Sequence, residues 1–512
     1  VPVLIVGGSL VGLTASVLLG RHGVPHILIE RHRGTAIHPR AAAFHQRTLE
    51  VFRSVGLQDA VEQAAEHEFV QNGAIMAVDS LAGRELAWFY RSVNEGVEDL
   101  SPTRRLFITQ IGLEPVLRAC AVEQGADLRY AAEMTCFTQD DDGVVATVRP
   151  RDGGEERRIR ARYMIASDGA HSPVRRALGV PMEGRGDFAQ CFTIYFKADV
   201  RALLRDRNLS VVYVNQPGLL AFFRFSITAD AGFLAVFAAA GGAQDQSPER
   251  CAALVRAALG VAEDFPVAIE DVQSWTAAAA TAGSFRQGRV FLAGDAAHVM
   301  PPTGGFGGNT GVADVHNLVW KLAMVLRGDA GTGLLDSYDE ERRPIAALTV
   351  EQAYRRYVER VDPTLPSNDL EPNLADTAIE LGATYRSRAV IAEGADDALT
   401  EAPEQPSGRP GARLAHLWIK DGAAPISTLD LADRGFVLLA GAQGQAWVAA
   451  AGRIGGLGVR QIQEEAFMAA AGITAQGALL LRPDGVVGWR RPGKADDPDA
   501  ALTEALRRLS AR

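Results

Sequence analysis

Lysine is nearly missing from this chain of 512 residues: Lys197, Lys321, Lys420 and Lys494 are its four occurrences, beside abundant arginine. That bias reads as genome composition and carries no functional weight. The net charge is −10 and no basic block occurs, which argues against nucleic acid or an anionic membrane as a partner. Cysteine is also sparse. Cys120, Cys136, Cys191 and Cys251 are widely spaced and form no CxxC pair, so neither a zinc site nor a disulfide framework is expected, no metal is called for, and a reducing cytoplasm is the expected location. No apolar run reaches membrane-spanning length, and the apolar start lacks a basic n-region.

What is present is ordinary globular composition, 47% hydrophobic and 22% charged, in a length that calls for two or three domains. Val3-Leu4-Ile5-Val6 is an apolar run of strand length. It leads into Gly7-Gly8-Ser9-Leu10-Val11-Gly12, a helical pattern ending at Gly23, and a second strand, His26-Ile27-Leu28-Ile29, closed by Glu30. This βαβ unit with a glycine turn and a terminal acid is what dinucleotide binding requires. Gly7 makes the turn, Gly12 allows close helix packing, and Glu30 can accept from a ribose hydroxyl. Ser9 stands where the pattern has its middle glycine.

Further along, Arg40 and Arg47 open and line a helix as candidate ligand contacts, with Arg47 read as a solvated helix charge. Thr109 caps a helix that carries Gln110 and Glu114. A strand, Tyr163-Met-Ile-Ala166, runs into Ser167-Asp168-Gly169, with Arg175 just beyond; taken alone, this is a turn. The most telling stretch lies past the middle. A short strand from Arg289 ends in Gly294-Asp295, a Pro- and Gly-rich loop follows through Asn309, and an amphipathic helix occupies residues 312–326. Glycines at the entrance to a helix let backbone and unpaired N–H groups approach a ligand.

Between Phe188 and Gln273 the apolar period changes to two, which argues for an antiparallel sheet inserted into the nucleotide-binding fold. Its phenylalanine-rich face packs either on the domain's own helix near residues 252–259 or around a flat apolar ligand. The expected fold class is therefore α/β. A Rossmann-like domain comprises residues 1–70, 100–185 and 275–365, and an antiparallel-sheet substrate domain residues 70–100 and 186–274. A helical linker spans 366–410, bounded by breaker-rich segments, and a small α/β domain spans 411–512.

The glycine turn with Glu30, the Asp168-Gly169 pair before Arg175, and Gly294-Asp295, in this order, resemble the FAD-dependent aromatic hydroxylases, the single-component flavoprotein monooxygenases. Within them the sequence is most similar to the aromatic-polyketide hydroxylases. That likeness runs through Pro-Pro-Thr-Gly-Gly, the Trp-Lys-Leu-Ala helix and Tyr385-Arg386-Ser387 to Leu481-Arg-Pro-Asp-Gly-Val-Val-Gly-Trp489. It implies a thioredoxin-like last domain, which here has no cysteine and so no dithiol chemistry.

The resemblance also implies roles. Gly7, Ser9 and Gly12 would hold the FAD pyrophosphate and Glu30 the adenosine ribose. Arg40 and Gln110 would contact FAD from the side, and Asp295 would bind its ribityl or pyrophosphate region. Pro302, Gly305, Gly307, Gly308 and Asn309 would line the isoalloxazine edge. Asp168 would serve FAD and the nicotinamide cofactor, NADPH or NADH. Oxygen adding at the flavin C4a carbon would give the hydroperoxide that attacks an electron-rich phenolic ring. Arg386, Tyr385 and His298 are the candidates for assisting deprotonation of that phenol, and Phe223, Phe225 and Phe237 for covering the substrate, a polycyclic aromatic polyketide. Baeyer–Villiger insertion and epoxidation begin from the same flavin chemistry. A non-catalytic flavin-binding assembly protein is the alternative of another class. Both a monomer and a homo-oligomer are compatible with the sequence.

Overall fold

The structure, a computed structural model, describes residues 1–37, 42–239, 245–395, 397–421 and 424–512. The chain opens with β1 (Val3–Val6), α1 (Leu10–Arg21) and β2 (His26–Ile29). All four residues of β1 and of β2 are buried, because helices cover both faces of a parallel sheet and leave no solvent side for polar residues. The sheet has six strands, in the order Arg286–Gln287, Val290–Leu292, Tyr163–Ala166, β1, β2, Asp127–Arg129. Parallel register pairs Val6 with both Ile29 and Ala166, and Leu292 with Ala166. Gly7, Ser167 and Ala293 thus leave the sheet at one edge, where an open α/β sheet binds its ligand.

Two helices, α2 (Gln46–Ser54) and α3 (Gln58–Glu68), lead to β3 (Ala74–Val78) and β4 (Glu85–Tyr90). These strands close an eight-stranded sheet whose other members include Leu209–Gln216, Leu219–Phe225, Ala231–Ala239, Met182–Lys197 and Ala268–Ala282. The two longest strands pair from Met182–Ala282 to Lys197–Ala268. They run through the expected boundaries at 186 and 274 without a break, so the second sheet is continuous with the arms that carry it. A third, three-stranded sheet (Ala132–Gln139, Val144–Pro150, Arg157–Ala161) turns at the expected Asp140 to Gly143.

α4 (Gln110–Glu123) packs on α1, and the helix after the glycine loop runs from Phe306 to Arg327. It starts six residues earlier than the apolar period indicates, because Gly305, at φ 70, supplies a left-handed residue just ahead of it. The segment 366–410 is not helical as expected. It holds one helix of six residues, Asp376–Leu381, and five prolines, at 366, 372, 403, 406 and 410, which remove backbone donors and break longer helices.

The last domain carries a four-stranded sheet in the order Gly458–Gln461, Val437–Ala440, Ala478–Leu481, Val487–Arg491, parallel in its first pair and antiparallel in the others. Helices Gln445–Gly452 and Pro498–Leu509 flank it, giving the thioredoxin-like arrangement. Among the described residues no helix is long and apolar enough to cross a membrane.

Candidate active site

At the open edge of the six-stranded sheet the backbone is crowded to the point where only glycine fits. Gly7 sits at φ 105, and a Cβ there would lie 2.2 Å from the Ser167 carbonyl oxygen. A Cβ on Gly12 would lie 1.8 Å from the Gly7 carbonyl oxygen. Glu30, at the end of β2, accepts from Gly8 N at 2.6 Å and from His32 N at 2.8 Å, so it faces the glycine turn.

Ser9 points the other way. Its hydroxyl donates to Glu114 Oε1 at 2.5 Å, and Gln110 Nε2 donates to both Ser9 Oγ and Glu114 Oε1 at 3.1 Å. Glu114 also accepts from Leu10 N and Ala36 N, so its carboxylate lies across the first turn of α1, at the positive end of the helix. Burial raises its pKa against these donors. Glu114 was legible only as an acid in the first turns of α4. Its reach across to the glycine turn depends on the packing of α4 on α1.

Two further motifs converge on the same edge. Asp168 Oδ2 accepts from Val174 N at 3.1 Å, while Oδ1 is buried without a partner among the described residues and burial raises the group's pKa. Arg175 ties this turn to the next one, Nη1 donating to the Ala296 carbonyl at 2.8 Å and Nη2 to that of Ala170. A Cβ on Gly294 or Gly311 would lie 2.9 or 2.6 Å from Val11 Cγ2, so the Asp295 turn, α1 and the helix Phe306–Arg327 meet in close contact. Asp295 itself is exposed at this edge. A crowded glycine cradle, a buried carboxylate oxygen awaiting a donor and an exposed acid at the neighbouring turn together fit the phosphates and hydroxyls of a dinucleotide. Arg40 lies outside the described residues.

Beyond the cradle a cavity of about 270 Å³ opens between the loop at residues 300–308 and the eight-stranded sheet. Pro302, Gly305, Gly307 and Gly308 line its loop side, and Tyr213, Phe222 and Phe233 its sheet side. Asn309 braces the loop without lining this cavity. Its Oδ1 accepts from His45 N and Thr48 Oγ1, and its Nδ2 donates to the carbonyls of Ala43 and Gly305.

Polar groups enter the cavity from two directions. Tyr90 Oη donates to Asp376 Oδ2 at 2.5 Å, and Arg356 holds the other oxygen at 2.6 Å. Arg105 Nε donates to Glu380 Oε2 at 2.9 Å. The helix Asp376–Leu381 therefore brings both acids to the cavity. Burial raises the Tyr213 pKa, and Arg360, facing its hydroxyl, works against that. None of these polar residues was singled out from sequence, since each sits in an unremarkable local pattern.

Three expectations need correction. Phe223 and Phe225 do not cover the cavity. They project from the opposite face of their strand, 0% and 7% exposed, into a core with Cys251 and Val255 of the helix Pro248–Leu259. Alternation places Phe222 on the cavity face instead. Phe237 sits behind Phe222, at 5.7 Å between ring centroids, and against Tyr357, and does not line the cavity.

The three catalytic candidates are also not gathered at the cavity. His298 is fully buried, with Nε2 2.8 Å from Asp314 Oδ2. Arg342 bridges Asp314 Oδ1 at 2.9 Å to the Tyr385 hydroxyl at 3.0 Å. Tyr385 lines a separate space of about 60 Å³. Arg386 lines neither space, and its Nε lies 3.7 Å from Asp397. His298, Arg342 and Tyr385 thus brace the helix Phe306–Arg327 through Asp314, and Arg386 takes no part in that network. No cluster able to hold a metal ion is found among the described residues.

Comparison with known proteins agrees with this geometry. Residues 1–353 match the family model for the FAD binding domain, and residues 407–512 that for the C-terminal domain of aromatic-ring hydroxylases. The chain is 47% identical to 4-methyl-5-nitrocatechol 5-monooxygenase of a Burkholderia species, covering 100% of this chain and 98% of that one. It is 38% identical to tetracenomycin A2 monooxygenase-dioxygenase of Streptomyces glaucescens, covering 100% and 97%. Among solved structures it resembles aklavinone-11 hydroxylase in ternary complex with FAD and aklavinone, with a TM-score of 0.95 and 36% identity, over 100% of this chain and 99% of that one. The chain belongs to the FAD-binding aromatic-ring hydroxylases, a family of flavin-dependent monooxygenases.

Proposed function

We propose that this enzyme uses FAD and NAD(P)H to hydroxylate an electron-rich phenolic ring. The observation that carries the reading is the aromatic-walled cavity of about 270 Å³ bounded on one side by the glycine loop that leads from the nucleotide cradle. Gly7, Gly12 and the backbone at Ser9 would hold the pyrophosphate and Glu30 the adenosine ribose, Gln110 would contact FAD from the side, and Asp168 and Asp295 would lie beside the second half of the cofactor. Pro302, Gly305, Gly307 and Gly308 would bound the flavin ring, with Asn309 fixing their loop. Bound FAD, once reduced by NAD(P)H, supplies the activation of dioxygen and the transfer of one oxygen atom to the substrate.

The chain's own part is positioning and protection. The start of the helix Phe306–Arg327 offers unpaired N–H groups to negative charge at the cavity. Phe222, Phe233 and Tyr213 exclude water from the reacting face. Relatives acting on polycyclic substrates support a polyketide as the phenol. A single-ring catechol is the second reading. The cavity is smaller than the roughly 300 Å³ at which ligand pockets ordinarily begin, and the relative at 47% identity is a nitrocatechol monooxygenase.

The test is direct. The purified protein should be yellow. NAD(P)H oxidation should accelerate on adding either a tetracyclic polyketide phenol or 4-methyl-5-nitrocatechol; the product should carry one added oxygen atom, with nitrite released where that oxygen enters at the nitro-bearing carbon. Folded protein that takes up no FAD, or that oxidises NAD(P)H no faster with any phenol, overturns the proposal.

A further inference from the structure

Arg224 stands apart from every other arginine around the cavity. It lies on the strand Leu219–Phe225, two residues from Phe222 and on the same face, 4% exposed and lining the cavity. Its Nη1 donates to the Ala42 carbonyl at 2.7 Å, while Nε and Nη2 are buried with no partner among the described residues. The guanidinium carbon lies 4.3 Å from the ring centroid of Phe69 and 4.2 Å from that of Phe107, so aromatic rings pack against the group. Glu68 is the acid whose field reaches it, but that carboxylate is engaged by Thr109, whose N and Oγ1 donate to its two oxygens. Burial pushes the Arg224 pKa down to about 9, which leaves the group cationic at neutral pH.

A buried cation with no ion pair and two unused donors among the described residues is a costly arrangement in a folded chain. The two unused N–H groups are neighbours on one edge of the guanidinium plane, the fork that accepts a planar group bearing two oxygens. The rest of the cavity is aromatic and flat. We propose that Arg224 anchors a planar two-oxygen, anionic or strongly polarised substituent on the aromatic substrate, a nitro group conjugated to a phenolate or a carboxylate, and so selects ring substrates that carry one. The proposal rests on the ring-hydroxylase reading above and adds the substituent that the site recognises.

Flavin absorbance reports ligand binding next to the ring, so the FAD-loaded full chain is titrated with 4-methyl-5-nitrocatechol and with 4-methylcatechol. The wild type should bind the nitro compound at least about tenfold tighter. Arg224→Met should erase that preference while leaving FAD content and the 4-methylcatechol Kd within about twofold. Arg224→Lys, which keeps the charge and loses the fork, should restore part of it. 3,4-Dihydroxybenzoate in the same titration tells a carboxylate from a nitro group. Equal Kd values for the nitro and plain catechols in the wild type, or a preference retained in Arg224→Met, overturn the proposal. Loss of FAD together with both ligands in both variants also overturns it, by placing the guanidinium on the cofactor. A preference that follows Arg224 without any stimulated NAD(P)H oxidation leaves the anchor standing and removes the hydroxylase reading instead.

Discussion

Arg413 of the C-terminal domain grips Glu50 of α2, its Nε donating to Oε2 at 3.0 Å and its Nη2 to Oε1. Arg47 and Ser101 complete the shell around the carboxylate. Arg482 makes a parallel tie from the same domain to Glu341, at 2.7 and 2.8 Å. A cysteine-free domain is thus fastened to the nucleotide fold by buried ion pairs, one on α2 and the other on the helix Ser337–Arg360.

Burial alone would raise the Glu50 pKa, but Arg413 and Arg47 hold it at about 2. A carboxylate depressed in the folded state stabilises the protein above its unfolded pKa, near 4.5, and that contribution is lost as pH falls through the folded value. Acid unfolding should therefore steepen between about pH 4.5 and pH 2. Arg413→Met should cost about 3–5 kcal/mol at neutral pH, because it leaves a buried charge unpaired. Denaturant midpoints of the two proteins measure this, and matching midpoints would show that the tie contributes nothing.

The cradle and the Asp295 turn make separable predictions. Gly12→Ala drives a Cβ against the Gly7 carbonyl and should yield protein without flavin. Asp295 is exposed, so Asp295→Ala should alter apoprotein stability by no more than about 0.5 kcal/mol. Its FAD dissociation constant should nonetheless rise by about tenfold or more, the scale of a lost hydrogen bond to a charged group. Flavin fluorescence titration decides, and an unchanged constant takes Asp295 out of the site.

Adjacent phenylalanines on one strand should behave oppositely. Phe223→Ala empties a fully buried core position and should destabilise the fold by about 3–5 kcal/mol. Phe222→Ala opens the cavity wall, so its main effect should be on substrate KM and on the fraction of NAD(P)H oxidised without product. If both variants lose stability equally while neither changes coupling, the assignment of the two faces is wrong.

Sequence carried the backbone-defined half of this site and missed the half made of long side chains. Gly7, Gly12, Gly294 and Glu30 could be placed because glycine turns and a strand-end acid have fixed offsets that follow from sterics. Phe223 was misplaced because period-two alternation says that the faces differ, not which face meets the ligand. Arg224, Tyr90 and Asp376 were invisible. Their neighbours come from residues 42, 69, 107 and 356, and only the packed fold brings those together. Tyr385, Arg386 and His298 rested on family likeness alone. The packing instead puts Tyr385 and His298 in the network of Arg342 and Asp314 that supports the glycine-loop helix.

The Tyr90–Asp376 pair makes the last prediction, about proton movement in the cavity. Tyr90 lines the cavity, yet burial and the Asp376 charge push its pKa up to about 12. Asp376 is held below the usual carboxylate range. Burial opposes that shift, but Arg356 and the Tyr90 hydroxyl outweigh it. The pair therefore keeps its proton on Tyr90 throughout the neutral range, and Tyr90 serves to orient Asp376 and the helix Asp376–Leu381. Tyr90→Phe should lower kcat/KM by no more than about tenfold, the scale of one hydrogen bond. The shape of its pH profile between about pH 6 and 9 should match the wild type, since no titration of Tyr90 falls there. Asp376→Asn removes the charge that raises the Tyr90 pKa, so the tyrosinate absorbance of that position should appear at lower pH. A limb of the wild-type profile that vanishes in Tyr90→Phe would instead make Tyr90 a proton acceptor in the reaction.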